Sequence, residues 1–297
     1  MAGVLDMQKG QQRRRVGFLR FIERTITKFS RRSRKTVGKE LYLDTDAGKV
    51  RALAYNLDRT DKLPLFVNIH GSGFSLGDAE MDDSFMVDIA SKANVKILSI
   101  DYSLAPEAPF PTALNECYGV VKYAKEHATE LGFDPALISV GGHSAGGNLS
   151  AAICLLETER KQLGLKALIL DYPPLDIYTD PYDKPRPRAA IPPIIARHFD
   201  AAYSRNRVER KNPLVSPVYA TVDQVRSFPP TLVITASQDS LCEEAEKFKD
   251  KLVEAGVAVT FKRFNAVHGF TYSGTPESVE ARQMMIDHLH KYLQPGA

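Results

Sequence analysis

Residues 137–157 read LISVGGHSAGGNLSAAICLLE. An apolar run, Leu137 to Val140, passes through glycines into His143-Ser144-Ala145. The chain then leaves through Gly146 and Gly147 into an apolar segment of helical character. Gly142 to Gly146 match G-x-S-x-G, the pattern that raises a serine on a sharp strand-to-helix turn. The serine of such a turn sits in strained backbone, tolerable only where the neighbours two positions away lack side chains. A helix N-terminus beneath it favours developing negative charge. Ser144 is therefore the candidate nucleophile.

Working outward, apolar β-branched runs alternate with helical patterns. Strands are expected at 40–44, 50–56, 65–70, 95–101, 137–142, 167–172, 231–236 and 259–264, with helices near 80–92, 112–131, 145–157, 242–255 and 277–292. The later strands are near-continuous hydrophobic runs, as when helices cover both faces of a parallel sheet. Two opening strands followed by repeated strand–helix units predict a mostly parallel, doubly wound α/β sheet. From 178 to 212 the alternation breaks into a proline- and charge-rich insertion, YTDPYDKPRPRAAIPPIIARHFD at its start, with a short helix expected near 192–203. Plain loops of that length are uncommon, so the insertion reads as a lid or binding element. With 297 residues, 43% hydrophobic and 25% charged, the chain has the composition of a soluble globular protein. One domain spanning 1–297 is expected.

A second G-x-S-x-G surrounds Ser75 in PLFVNIHGSGFSLGDAE, residues 64–80. Chance alone supplies roughly one such match per ten chains of this length, so context has to separate the two. Ser75 is flanked by bulky Phe74 and Leu76, and an acidic turn rather than an apolar helix follows it. The same stretch, from Gly71, resembles a dinucleotide-binding turn. Asp78, Glu80, Asp82 and Asp83 disfavour that reading, since a pyrophosphate needs positive surroundings. A serine hydroxyl needs a general base, and the base an orienting carboxylate. In α/β-hydrolases these follow in the order serine, acid, histidine, on loops at the carboxyl edge of the sheet. Asp239 lies in a loop after TLVITA, and His268 lies in a loop after VTFKRF, 29 residues later. Glu243 and Glu244 are the runner-up acids, but they fall at a helix start, where capping explains them.

The three cysteines, Cys117, Cys154 and Cys242, show neither metal-ligand spacing nor a disulfide framework, so a reducing cytoplasm is expected. No apolar run approaches the roughly 20 residues of a membrane span, and no apolar stretch of a secretory signal follows the basic N-terminus. Residues 1–40 carry twelve Lys/Arg against three Asp/Glu, a formal +9, leaving −6 for the rest. Within them Leu19, Ile22, Ile26 and Phe29 form one apolar helical face among arginines. The first reading is a helix packed on the body of the protein. An anionic membrane surface is the alternative, and no nucleic-acid module is visible.

Four motifs together resemble the hormone-sensitive-lipase-like esterase branch of the α/β-hydrolases. HGSGF (70–74) is similar to that family's H-G-G-G loop, with His70 and Gly71 in matching positions. DYSLAPEAPFPTAL (101–114) resembles its D-Y-R-L-A-P-E-x-P-F-P segment, and DPALISVGGHSAGGNLSA (134–151) its nucleophile turn, including Gly142 and Gly146. QDSLCEE and HGF resemble its acid and histidine loops. The resemblance implies a helical cap, formed in this chain from about 1–38 and 178–212, and an oxyanion hole from the backbone N–H groups of Ser72, Gly73 and Ala145. It favours the packed-helix reading of the N-terminus. The chain departs from the pattern at several points. Ser72 replaces a glycine, and its hydroxyl either adds a donor or narrows the site. Ser103 replaces arginine, Ala108 a histidine and Ser240 a proline. His143 stands where Asp or Thr is usual, in a structural or a charge-tuning role.

The resemblance implies a serine carboxylesterase acting on small, short-chain acyl esters through Ser144, His268 and Asp239, with no cofactor and no metal. A deacetylase or amidase of the same fold, acting on an acetylated small molecule or carbohydrate, is the alternative. A ligand receptor of this fold would lack the histidine that this chain retains as His268. A dinucleotide-dependent oxidoreductase would use Asp101 as its ribose acid and meets the acidic loop. The expected partner is the small-molecule substrate, without nucleic acid or a stable membrane anchor. Oligomeric state stays open, homodimers being common in families of this kind.

Overall fold

The apolar runs form the eight strands of one sheet: β1 (Lys39–Thr45), β2 (Gly48–Tyr55), β3 (Leu63–Ile69), β4 (Lys96–Asp101), β5 (Phe133–His143), β6 (Ala167–Asp171), β7 (Thr231–Gln238) and β8 (Val259–Val267). The computed structural model describes residues 35–294. By its contacts the chain divides into Met1–Thr36 and Val37–Ala297, and the sheet with its helices belongs to the second unit. Residues 1–34 of the expected cap, with the amphipathic face from Leu19 to Phe29, lie outside the described residues.

The spatial order is β1-β2-β4-β3-β5-β6-β7-β8. Only β2 runs against the others, pairing antiparallel with β1 and β4, while all pairs from β4 to β8 are parallel. Parallel neighbours need crossover connections, and helices supply them. They are α1 (Asp83–Lys92), α2 (Thr112–Glu126), α3 (Ala145–Arg160), α4 (Pro193–Tyr203) and α5 (Cys242–Glu254), and α6 (Pro276–Leu293) follows the last strand. Strand alternation divides the core in two. Leu65, Val67 and Ile69 face one apolar cluster with Leu114, Leu149 and Phe248, while Phe66 faces the other with Phe85, Met285 and Leu289. Burial on both faces accounts for the unbroken hydrophobic strands.

Most element ends shift by one to four residues from the sequence expectation, and two helices differ in kind. The helix expected over 112–131 stops at Glu126, where His127 leaves helical geometry (φ −106°, ψ 23°). A further turn, Ala128–Leu131, ends at Gly132 in the left-handed region. The expected helix at 80–92 opens instead with a 3₁₀ turn, Ala79–Asp82, before α1.

Helix α3 lies so close to β3 that a side chain cannot intervene. A Cβ on Gly146 would sit 1.8 Å from the Ile69 carbonyl oxygen, and one on Gly142 would sit 2.2 Å from the same atom. At Gly147 the nearest atoms are the Pro173 Cβ at 3.0 Å and the Gly142 carbonyl oxygen at 3.1 Å, tight contacts that ask for a shift of only a few tenths of an ångström. Gly146→Ala should therefore destabilise the fold by about 4 kcal/mol or more, in the range of severe core mutations. Gly147→Ala should cost under about 2 kcal/mol. Thermal denaturation of the two variants checks this order.

Candidate active site

Parallel strands deliver their carboxyl ends to one edge of the sheet, and the predicted residues lie in the loops that leave that edge. Ser144 joins β5 to α3 with φ 50° and ψ −119°, a conformation that is strained for a residue with a Cβ. Hydrogen bonds hold it there: its N–H donates to the Asp171 carbonyl at 2.8 Å, and its carbonyl accepts from the Asn148 N–H at 3.2 Å. The Asn148 amide ties the helix start to Pro174 O at 2.7 Å and Val215 O at 2.9 Å. Asp239 follows β7 and His268 follows β8. A one-residue register shift between these strands falls just before both, as bulges beside functional loops often do.

The structure brings these three side chains into one line. Asp239 Oδ2 lies 2.6 Å from His268 Nδ1, and His268 Nε2 lies 3.1 Å from Ser144 Oγ. Asp239 is 2% exposed, and its other oxygen accepts the Leu241 N–H at 3.1 Å. Tyr172 meets the His268 ring edge-on at 4.8 Å between centroids. A hydrogen-bonded chain of this kind can take the proton of a serine hydroxyl and hold the resulting imidazolium in place. Of the runner-up acids, Glu243 is exposed. Glu244 does not cap its helix. It is buried, accepts the N–H groups of Leu175 and Asp176 at 2.8 and 3.0 Å, and pairs with Lys184 at 2.6 Å. Its task is to clamp the start of the insertion to α5.

The glycine loop stands against the Ser144 turn. A Cβ on Gly71 would meet the His143 carbonyl oxygen at 3.0 Å and Ser144 Cβ at 3.3 Å. Ser72, Gly73 and Phe74 all have positive φ, at 80°, 62° and 60°, so Ser72 adopts the left-handed form despite its side chain. Supports that no motif announces hold the loop. Tyr102 donates its hydroxyl to the carbonyls of His70 and Gly71 at 3.1 and 3.2 Å and stacks on the His70 ring at 4.3 Å. Phe74 stacks on Tyr203 of α4 at 3.8 Å. Among the described residues, the Ser72 and Gly73 amides donate to no protein acceptor. The Ser72 hydroxyl turns toward Met81 Sδ, 3.4 Å away, so it narrows this side of the site. Ser75 is buried and takes no part in the lining of the site.

Above Ser144 and His268 opens a cavity of about 250 Å³ with largely apolar walls, among them Met81, Ile177, Ile191, Phe199 and Leu241. Asp101, the ribose acid of the dinucleotide alternative, is instead paired with Arg51 at 3.0 Å, and Arg51 also binds Glu80 at 2.6 Å.

His143 is 3% exposed and has two carboxylate neighbours, Asp171 at 2.8 Å from Nδ1 and Asp82 at 3.9 Å from Nε2. Burial works against its charged form, but these carboxylates prevail and raise its pKa. The ring is packed against Phe85 and Tyr272 at 5.0 Å between centroids and bonded to Asp171, so the structure supports the structural part left open by the sequence.

Two charged residues line the cavity, Lys184 and Asp200. Burial pushes the Asp200 carboxyl up to about 7, against the pull of Lys184 and Arg210. An acid raised in the fold costs no stability below its unfolded value of 3.8. The cost grows as pH climbs from there and is complete once pH passes the folded value. Asp200→Asn should thus stabilise the protein, and its advantage should widen by up to about 2–3 kcal/mol between pH 5 and pH 8. Paired melting curves at the two pH values test this; an advantage that shrinks with rising pH would contradict it.

A family model described as alpha/beta hydrolase fold matches residues 66–272. An arylesterase of Saccharolobus solfataricus is 31% identical over 230 residues, covering 76% of this chain and 74% of that protein. The carboxylic ester hydrolase LipN of Mycobacterium tuberculosis is 32% identical over 242 residues, 78% of this chain but only 63% of that longer protein. Among solved structures, the thermophilic carboxylesterase EstE1, cloned from a metagenomic library, superposes with a TM-score of 0.81 at 28% identity, covering 92% of this chain and 97% of that one. The chain belongs to the α/β-hydrolase family, in its hormone-sensitive-lipase-like esterase branch.

Proposed function

We propose that this protein is a carboxylic ester hydrolase, a serine esterase that cleaves short-chain acyl esters. The observation that carries the reading is the Asp239–His268–Ser144 chain, with links of 2.6 and 3.1 Å, at the floor of an apolar cavity. Ser144 Oγ attacks the ester carbonyl carbon as its proton passes to His268 Nε2. Asp239 stays ionised and holds the imidazolium through Nδ1–H. The carbonyl oxygen becomes an oxyanion, received by the N–H groups of Ser72, Gly73 and Ala145. Losing one such donor typically costs about 3–4 kcal/mol of transition-state stabilisation.

Collapse of the tetrahedral intermediate breaks the bond to the alcohol oxygen, which takes the proton from His268. Water then attacks acyl-Ser144, giving its proton to His268. The second collapse frees the acid and returns a proton to Ser144 Oγ. Segment 178–212 serves as the cap. Supporting this, the Phe199 ring on α4 packs so close to Gly73 that a Cβ there would lie 2.4 Å from it. A cavity of about 250 Å³ is smaller than the roughly 300–1,000 Å³ of sites for drug-sized ligands, which favours short acyl groups.

A series of p-nitrophenyl esters from acetate to hexadecanoate tests the reading. Turnover should peak among the short chains, and Ser144→Ala should lower kcat by about four to six orders of magnitude. No turnover on any ester would sink the proposal, and a peak at long chains would sink its short-acyl part.

A further inference from the structure

The mechanism above gives Asp200 no task, yet Asp200 is an expensive residue to keep. It lies on α4, where Ala196, Phe199, Asp200 and Tyr203 follow the helical spacing that lines up one face. The first three line the cavity, and Tyr203 stacks beneath Phe74 of the glycine loop. Asp200 is 7% exposed. Among the described residues its carboxylate makes no hydrogen bond and no ion pair. Buried carboxylates are ordinarily paired. Asparagine would fill the same space without the charge.

The surroundings narrow what the carboxylate is for. The charged groups that act on it most are Lys184, Arg210, Glu244 and Asp176. Lys184 also lines the cavity, and its ammonium spends two of its three donors, one on Glu244 Oε2 at 2.6 Å and one on the Asp176 carbonyl at 2.6 Å. The Arg210 Nε–H is directed to the Ser204 carbonyl at 3.0 Å. Lys184 and Asp200 both line the cavity and do not pair with each other, which leaves one ammonium hydrogen and the carboxylate without a protein partner among the described residues. A hydroxyl satisfies both, accepting from the ammonium and donating to the carboxylate. An ammonium has only donors, and it would face the charge of Lys184.

We infer that Asp200, with Lys184, binds a hydroxyl group of the substrate, so that the preferred esters are short, neutral and hydroxylated. This rests on the esterase reading and adds its specificity. An ester lacking the hydroxyl seals the carboxylate in the occupied cavity without water or a partner. Sites built to hydrogen-bond a substrate hydroxyl reject the analogue without it for that reason.

The test compares kcat/KM for ethyl butanoate, 2-hydroxyethyl butanoate and ethyl 3-hydroxybutanoate, placing the hydroxyl on the alcohol or the acyl side. The native enzyme should favour at least one hydroxylated ester over ethyl butanoate by tenfold or more. In Asp200→Leu that ratio should fall to about one, and because it is taken within one preparation, partial misfolding does not distort it. Should that variant yield no soluble enzyme, Asp200→Asn serves, with the ratio falling at least threefold. A native ratio near one for both hydroxylated esters overturns the inference while ethyl butanoate turnover leaves the esterase reading standing. A preference unchanged in the Asp200 variants overturns it equally. Absence of turnover on all three esters removes the esterase reading and this inference with it.

Discussion

The approach of helix α3 to strand β3 governs this structure. With a Cβ on Gly146 the Ile69 carbonyl would be 1.8 Å away, so the helix start can reach the sheet only where side chains are missing. That contact forces the chain to turn within one residue of β5, and the turn leaves Ser144 at φ 50°. The strain costs of order 1–3 kcal/mol, and the two apolar clusters packed against the sheet offset it. It lifts the serine hydroxyl clear of the sheet edge. There the histidine after β8 reaches it, and the glycine loop after β3 stands against its turn.

A second layer of organisation is electrostatic. Glu244 and Lys184 are both buried and joined at 2.6 Å, and they tie the insertion to the helix that follows Asp239. Removing either partner of such a pair leaves an uncompensated charge, a change that typically costs about 3–5 kcal/mol. Behind Ser144, His143 lies between Asp82 and Asp171, which are themselves bound by Tyr272 at 2.6 Å and Thr271 at 2.9 Å. The wall and the floor of the cavity are thus stiffened by buried polar contacts, and its lining stays largely apolar apart from Lys184 and Asp200.

Much of this was legible in the sequence because it is local. Strand runs report burial on both faces, and the G-x-S-x-G around Ser144 reports a strand, a tight turn and a helix in sequence order. The positions of Asp239 and His268 followed from loops at the ends of strands, since parallel strands share one edge. What could not be read depends on distant partners. Glu244 looked like a helix cap because its real partners, Leu175, Asp176 and Lys184, lie 60 or more residues away. The Ser72 hydroxyl could be assigned only once Met81 was in place beside it. Asp200 sat unnoticed in a proline-rich insertion because its significance is the lack of a partner, and a linear sequence does not record that. The break at His127 carries no local mark either, since no glycine or proline stands beside it in AKEHATEL, residues 124–131.

The central claim is that Ser144, and not Ser75, is the nucleophile that His268 activates. Treatment with diethyl p-nitrophenyl phosphate, followed by intact-mass measurement and peptide mapping, tests it directly. One diethylphosphoryl group should appear on the peptide carrying Ser144, with one equivalent of p-nitrophenolate released. Ser144→Ala should take up none, and His268→Ala should react far more slowly. Stoichiometric labelling of Ser75, or labelling that survives Ser144→Ala, would contradict the account.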